Sequence, residues 1–282
     1  MWGLLYATPA VGLVGLFVVY PFGSILYHAF TRWDGISPAQ WVGTHNFSLL
    51  VHDPIFLHSL RNNALFALSV PVQMVLPLLA AYVIHRRIPG WRFFRGTVFL
   101  PAVYATVVVG ILASTVLQLN GPLNSALDGV GLGSLQREWL GNATTSIPVI
   151  LLILIWANFG YNVLLYLAAM SAIDPTLEEA ARMDGASHLR TLWHVVVPNL
   201  RRVMEIVLVV NTITAFAFMF AYIYTITNGG PGTDTYVSEF YIWTQAFTNQ
   251  NMGYAAAAGV LLIAIVLVIG MLQIRVLTRK EA

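Results

Sequence analysis

Long apolar stretches separated by short polar segments are the dominant pattern along this chain. An α-helix needs about 20 mostly apolar residues to cross a bilayer. Six windows meet that requirement: 5–29, 63–84, 97–118, 147–169, 206–227 and 254–274. They do not alternate apolar with polar residues, as the strands of a membrane barrel do. The pattern therefore predicts an all-α membrane protein with six transmembrane helices, formed as a single transmembrane domain over residues 1–282.

Basic residues between the windows predict how the helices are oriented. Cytoplasmic segments of membrane proteins carry an excess of Arg and Lys. Eleven of the basic residues fall in alternate segments: Arg86, Arg87, Arg92 and Arg95 in 85–96; Arg182, Arg190, Arg201 and Arg202 in 170–205; Arg275, Arg279 and Lys280 in the tail. The other segments, 31–62, 119–146 and 228–253, hold Arg32, Arg61 and Arg137. We therefore expect both termini in the cytoplasm.

Composition narrows the class of function. Of 282 residues, 58% are hydrophobic and 9% are charged, against about 25% charged in soluble domains. This deficit excludes a soluble enzyme, and a net charge of +2 gives no reason to expect a nucleic-acid partner. Cysteine is absent, and the single lysine, Lys280, does not follow glycine. A phosphate-binding Gly-Lys loop is therefore missing, and we expect no ATP site, no metal and no other cofactor in this chain.

The segment 174–198 has the local signals of two short helices. Asp174 before Pro175 is a good helix start, and Gly185 offers a helix end in the left-handed conformation. Glu178 and Arg182 are spaced for an i,i+4 pair. A second short helix is predicted over "SHLRTLWHVV", ending at Pro198. By these signals alone, the segment could equally be an amphipathic connector at the membrane surface.

The residues of this segment resemble a known motif. The pattern Glu-Ala-Ala, three residues, Gly, then a hydrophobic-x-hydrophobic-Pro group is similar to the EAA loop of ABC importer permeases, and we call residues 174–198 the EAA loop. The matching residues are Glu179, Ala180, Ala181, Asp184, Gly185, Ala186, Val195, Val197 and Pro198. The resemblance implies that an ATPase contacts this loop through Glu178, Glu179, Ala180, Ala181, Arg182, Asp184, Gly185 and Ala186.

Further stretches are similar to the maltose-type carbohydrate group of these permeases. They include "TNGGPGTDTYVSEFYIWTQAF" and "MGYAAAAGVLL" near the end, and "YPFGSILYHAF" in the first window. The Gly-Gly-Pro turn favours the first of the two paired permeases. The resemblance implies the type I importer permease fold, a second homologous permease, two cytoplasmic ATPases and an extracytoplasmic solute-binding protein. It also implies a bacterial or archaeal plasma membrane, and no enzymatic activity of the chain itself.

Polar residues inside the windows suggest the substrate class. None of the six windows has an ionisable residue at its centre, whereas ion-coupled carriers usually place such groups there. Amides, hydroxyls and aromatic rings suit a sugar. The candidates for the substrate path are Thr106, Asn158, Tyr161, Asn162, Asn211 and Thr212. Each could instead make hydrogen bonds between helices, and the aromatic run "AFAFMFAYIY" leaves open whether a tight intramembrane site exists.

Other functions remain as alternatives. The absence of charged residues at the window centres argues against a secondary solute carrier. A membrane enzyme would need several catalytic side chains that converge on one site. The seven histidines form no His-Glu-x-x-His pattern. Within the importer class, the cargo could also be a glycerol phosphodiester or an amino sugar. A phosphate would require an arginine in the path, and the windows have none at their centres.

Overall fold

The structure, a computed structural model, describes residues 2–87 and 89–278 and is largely helical. The first part contains α1 (Trp2–Val14), a π-helical turn (Gly15–Val19), α2 (Tyr20–His28), β1 (Thr31–Arg32), β2 (Gln40–Trp41), α3 (His45–Leu50), α4 (Pro54–Ala67), α5 (Val70–His85), α6 (Trp91–Val103), α7 (Thr106–Leu117) and α8 (Pro122–Gly129). A short 3₁₀ turn (Gly133–Leu135) precedes α9 (Ala143–Met170), α10 (Pro175–Met183), α11 (His188–Thr191), a π-helical turn (Leu192–Val196), α12 (Val197–Asn199), α13 (Arg201–Ala217), α14 (Phe220–Ile226), α15 (Ser238–Trp243), a π-helical turn (Thr244–Thr248) and α16 (Met252–Thr278). Arg279, Lys280 and the side chains of Arg92 and Arg95 lie outside the described part.

Six helical stretches have the length and composition needed to cross a membrane. Within the described ranges, five of them run over Tyr6–His28, Pro54–His85, Thr106–Gly129, Thr144–Met170 and Met252–Val276. The sixth is a pair of helices, α13 and α14, bent by 52° at a short break. The predicted all-α membrane class is confirmed.

The third predicted window is wrong as a single helix. Backbone at Tyr104 and Ala105 is extended, so α6 ends before them and α7 begins after them. Pro101 near the end of α6 has no N–H to continue the helical ladder. The two pieces also pack against different helices: α7 approaches α14 closely at Gly110, next to Thr225, and α6 approaches α9 closely at Gly160, next to Val98. The window 97–118 therefore contributes the end of one helix and the start of a transmembrane stretch.

The buried core joins the EAA loop to the membrane helices. Leu192, Val196 and Leu200, which follow α11, are buried in one cluster with Tyr82 of α5 and Tyr166 of α9. Burying such large side chains stabilises the contact by about 1.5–3 kcal/mol each. The loop is therefore anchored to α5 and α9 through its second half.

The first transmembrane stretch buries no side chain within its apolar window, although α2 packs against α16. The apolar window within Tyr6–His28 has no buried residues, and side chains such as Tyr6, Phe17 and Tyr20 are exposed. A helix that is apolar and uncovered inside one subunit needs lipid or another subunit around it.

Candidate functional site

The first helix of the EAA loop begins and ends as its sequence predicts. The Asp174 side chain accepts a hydrogen bond from the Thr176 N–H at 2.9 Å, and Pro175 occupies the first turn. This bond lowers the pKa of Asp174 below its ordinary value. At the other end Gly185 has φ +75°, and the Ala186 N–H donates to the Ala181 carbonyl at 2.9 Å. Such a closure requires a residue that tolerates left-handed backbone, so the predicted helix end at Gly185 is confirmed.

One face of α10 is open. Glu179 and Ala180 are exposed, and so is Met183 at the end of the helix, with 88% of its surface accessible. Apart from Gly185 and its two chain neighbours, no heavy atom of the described residues lies within 4 Å of the position that a Gly185 β-carbon would take. This face combines a carboxylate, small residues and a flexible apolar side chain, a set that suits contact with another protein.

The opposite face of α10 contacts the end of α5. A Glu178 carboxylate oxygen lies 3.4 Å from His85 Nε2, and the Glu178 side chain is 13% exposed. The predicted Glu178–Arg182 side-chain pair is wrong, because Arg182 Nε instead donates to the main-chain oxygen of Glu178 at 3.2 Å. The Glu178 carboxylate therefore has His85 of α5, and not Arg182, as its side-chain partner.

The second half of the EAA loop also contacts α5. The Tyr82 hydroxyl donates to the His188 carbonyl at 3.1 Å, and the Ser187 hydroxyl oxygen accepts from the Arg190 N–H. The prediction that Pro198 ends the second helix is wrong. A π-helical turn over Leu192–Val196 continues into α12, and Pro198 lies at its first turn, where a missing N–H costs no hydrogen bond.

A buried polar cluster lies at the break between α13 and α14. The Met219 N–H donates to Glu239 Oε1 at 2.8 Å. Asn63 Nδ2 donates to the Ala215 carbonyl at 2.8 Å and lies 3.2 Å from Glu239 Oε2. Asn63 Oδ1 accepts from both the N–H and the hydroxyl of Ser238 at 2.8 Å. The break exposes main-chain groups that a continuous helix would pair, and side chains from α4 and α15 satisfy them.

Glu239 in this cluster is an unusual residue for its surroundings. It lies on α15, between the membrane-crossing stretches, and burial raises the pKa of its carboxyl group to about 7, although the hydrogen bonds from Met219 and Asn63 oppose the shift. Sequence reasoning missed both Asn63 and Glu239. The available signal was one acidic residue inside the apolar run "VSEFYIW" and the paired asparagines in "SLRNNALF".

The predicted path residues differ in how far they are buried. Asn158 and Tyr161 are accessible: the Asn158 amide donates to the Leu154 carbonyl of its own helix at 3.0 Å, and Tyr161 is 48% exposed. Thr106 is half-buried at the start of α7. Asn162 is buried and its amide donates across to the Gln73 carbonyl of α5 at 3.0 Å.

Two further path residues, Asn211 and Thr212, are buried on α13. Thr212 Oγ1 accepts from Gln273 Nε2 of α16 at 2.9 Å, so this hydroxyl joins two helices. Asn211 Nδ2 has no hydrogen-bond partner among the residues that the structure describes. In this conformation the structure brings Asn158 and Tyr161 to one accessible face of α9, and it keeps Asn162, Asn211 and Thr212 between helices.

The Gly-Gly-Pro segment after α14 is a compact turn. Thr235 Oγ1 donates to the Gly230 carbonyl at 2.9 Å, and Asn62 Nδ2 of α4 donates to the main-chain oxygens of Asp234 and Tyr236. A β-carbon on Gly229, at φ +84°, would collide with Tyr236. Within the described ranges, no group of three or more His, Asp or Glu side chains is placed to hold a metal ion.

Comparison with known proteins agrees with this architecture. Residues 47–281 match the family described as binding-protein-dependent transport system inner membrane component. The chain is 34% identical to the diacetylchitobiose uptake system permease protein NgcF of Streptomyces coelicolor over 90% of its own length and 75% of that protein. It is 30% identical to the sn-glycerol-3-phosphate transport system permease protein UgpA of Agrobacterium fabrum, with 98% and 94% covered.

A solved structure supports the fold. A chain of a bacterial ABC transporter involved in the import of the acidic polysaccharide alginate superimposes with a TM-score of 0.86 at 25% identity, covering 98% of this chain and 95% of that one. Together with the EAA loop and the six membrane-crossing stretches, these matches place the chain in a family. The protein belongs to the inner membrane components of binding-protein-dependent transport systems.

Proposed function

We propose that this chain forms half of the translocation path of an ATP-driven importer for a sugar or oligosaccharide. A second homologous permease forms the other half, two cytoplasmic ATPases hydrolyse ATP, and an extracytoplasmic binding protein delivers the substrate. The observation that carries the proposal is the two-faced helix α10, which exposes Glu179 while Glu178 on its other side contacts α5.

The EAA loop has the construction of a lever. α10 is closed at both ends, by Asp174 and by the turn at Gly185. On its inner side, the Glu178 carboxylate contacts His85 of α5. The residues that follow α11 are buried against α5 and α9. A displacement of the exposed face by an ATPase would therefore move these two helices together, because packed helices transmit displacement rather than absorb it.

The substrate class follows from uncharged polar groups on an accessible helix face. Asn158 and Tyr161 offer an amide and a ring with a hydroxyl, which suit the hydroxyl edges and C–H faces of a sugar. The names of NgcF and of the alginate transporter refer to saccharides, and that of UgpA to a phosphate ester. We favour a saccharide because the centres of the windows lack an arginine that could pair with a phosphate.

Two substitutions on the exposed side of the EAA loop test the coupling. Glu179→Lys reverses the exposed charge, and Gly185→Val places a β-branched side chain at φ +75°, at a cost of about 1–2 kcal/mol. We expect both to reduce co-purification of the ATPase or its stimulation by loaded binding protein. The matched controls are Glu138→Lys in the loop 119–146 and Gly185→Asn, since Asn tolerates left-handed backbone.

The measurements are ATPase retention during purification and ATP turnover in nanodiscs with and without loaded binding protein. If Glu179→Lys and Gly185→Val both keep the ATPase and full stimulated turnover, α10 is only a connector at the membrane surface and the proposed coupling is wrong. A thermal-shift screen of the cognate binding protein against saccharides and glycerol phosphates identifies the cargo. Stabilisation by phosphate esters alone would replace the saccharide proposal.

The orientation can be tested because the chain has no native cysteine. Ser187 is an exposed residue of the EAA loop. We expect a membrane-impermeant thiol reagent to label the variant Ser187→Cys only in inverted vesicles. Labelling in intact cells would place the loop outside and overturn the proposed orientation of both termini.

A further inference from the structure

Two connected cavities open on the side of the molecule that carries the EAA loop. One has a volume of about 560 Å³ and is lined by residues of α5, α6 and α9, and the other has about 330 Å³ and lies between the end of α5 and α10. Because His85, Arg87 and Ser171 line both cavities, the two form one recess. None of the candidate path residues lines it.

The two parts of the recess differ in chemistry. The larger part has an apolar wall that includes Trp91, Leu164 and Leu167, and Leu164 is 45% exposed, so this wall is open to the surroundings of the helices. The smaller part contains Arg86 and Arg182 together with the shared residues. Its one carboxylate, Glu178, faces His85, which leaves an excess of positive charge.

The two arginines that follow α5 are placed against aromatic rings. The Arg86 guanidinium carbon lies 5.9 Å from the centre of the Tyr82 ring, and that of Arg87 lies 6.0 Å from the Trp91 ring. Among the described residues, neither makes an ion pair with a carboxylate. Stacking on a ring orients the guanidinium and leaves N–H donors at its edge available to an anion.

We propose that this recess binds an anionic phospholipid of the cytoplasmic leaflet. Its phosphate accepts hydrogen bonds from Arg86 and Arg87, and an acyl chain lies along Leu164 and Leu167. A positively charged pocket next to a continuous apolar wall suits a lipid, which has both a phosphate and acyl chains, better than it suits a free phosphate. Basic pockets between membrane helices on the cytoplasmic side bind anionic lipid headgroups. Since α10 forms one wall, the bound lipid stiffens the lever that we propose to contact the ATPase. The inference rests on the proposed orientation of the EAA loop.

The test uses the complete transporter in nanodiscs of phosphatidylcholine mixed with phosphatidylglycerol. Native mass spectrometry counts the phosphatidylglycerol that stays on the released complex. We expect the double variant Arg86→Gln/Arg87→Gln to retain phosphatidylglycerol about 25-fold less strongly, since each basic side chain near an anionic surface contributes roughly a fivefold gain. The control variant Arg190→Gln/Arg202→Gln removes the same charge outside the recess, and we expect it to retain as much phosphatidylglycerol as the wild type. An equal loss of phosphatidylglycerol in both double variants would overturn the proposal.

A second variant tests the apolar wall without changing charge. Ala168 lines the larger part of the recess, and Ala168→Trp should fill the space of the acyl chain and displace the lipid. Two results would contradict a lipid site: inorganic phosphate displaces phosphatidylglycerol from the wild type, or Arg86→Gln/Arg87→Gln loses the ATPase while keeping its lipid. If the proposed orientation of the EAA loop is wrong, the thiol reagent labels the Ser187→Cys variant in intact cells, and that result is independent of the lipid measurements.

Discussion

The break between α13 and α14 depends on Asn63, and replacing this residue by leucine tests that dependence. Leucine has a similar volume but no polar atoms. Asn63→Leu therefore leaves the Ala215 carbonyl and the Ser238 N–H without the partners that they have at 2.8 Å. Ala215 and Ser238 are fully buried, so water does not replace the lost bonds.

The expected destabilisation follows from these two groups. An unsatisfied buried main-chain group costs about 1–3 kcal/mol, which predicts a loss of about 2–6 kcal/mol for Asn63→Leu. The Asn63 contact with Glu239 adds to this loss, because the carboxyl group keeps only the Met219 N–H as a donor from the break.

The assay is thermal unfolding of the purified transporter in nanodiscs, followed by tryptophan fluorescence. Asn158→Leu is the matched control, since among the described residues that amide bonds to the Leu154 carbonyl of its own helix, and the loss of this bond costs about 1 kcal/mol or less. We expect Asn63→Leu to lower the unfolding temperature by several degrees more than the control. Equal unfolding temperatures for the two variants would refute the view that side chains from α4 and α15 hold the break.

Three further predictions follow from the described contacts. Because burial raises the pKa of Glu239 from the ordinary value of 4.5 to about 7, its contribution to stability is fully present below about pH 4.5 and is lost, by about 3 kcal/mol, as pH rises to about 7. Glu239→Gln should flatten the dependence of the unfolding temperature on pH in this window, and an unchanged slope would contradict this. His85→Ala removes the contact with Glu178, and we expect weaker ATPase stimulation by loaded binding protein with normal ATPase retention; full stimulation would show that the contact transmits nothing. Asn158→Leu with Tyr161→Phe should slow uptake and leave assembly and basal ATPase activity intact, whereas unchanged uptake kinetics would leave both residues with structural roles.

The helix start at Asp174 and the turn at Gly185 could be predicted because both depend on neighbouring residues. The Asp174 side chain bonds to a main-chain group two residues away, and glycine adopts the positive φ found at Gly185 without a steric cost. The membrane-crossing windows could be predicted for a similar reason, since the cost of placing polar groups in lipid acts on each segment separately. Charge asymmetry likewise predicts orientation without reference to packing.

The third window and the partner of Glu178 could not be predicted in this way. Hydropathy does not distinguish α6 from α7, because the interruption at Tyr104 and Ala105 depends on Pro101 and on packing against different helices. Glu178 had Arg182 as a local partner at helical spacing, but the end of α5 brings His85 to its inner side.

The amino-acid sequence by itself determined the class of this protein: an all-helical membrane chain, its motif-bearing loop and the helix ends of that loop. These depend on apolar length, on charge and on residues within a few positions of one another. Only the tertiary structure decided which polar side chains meet. Asn63 and Glu239 are 176 positions apart, and their contact arises because a bent helix leaves buried main-chain groups that distant side chains must satisfy.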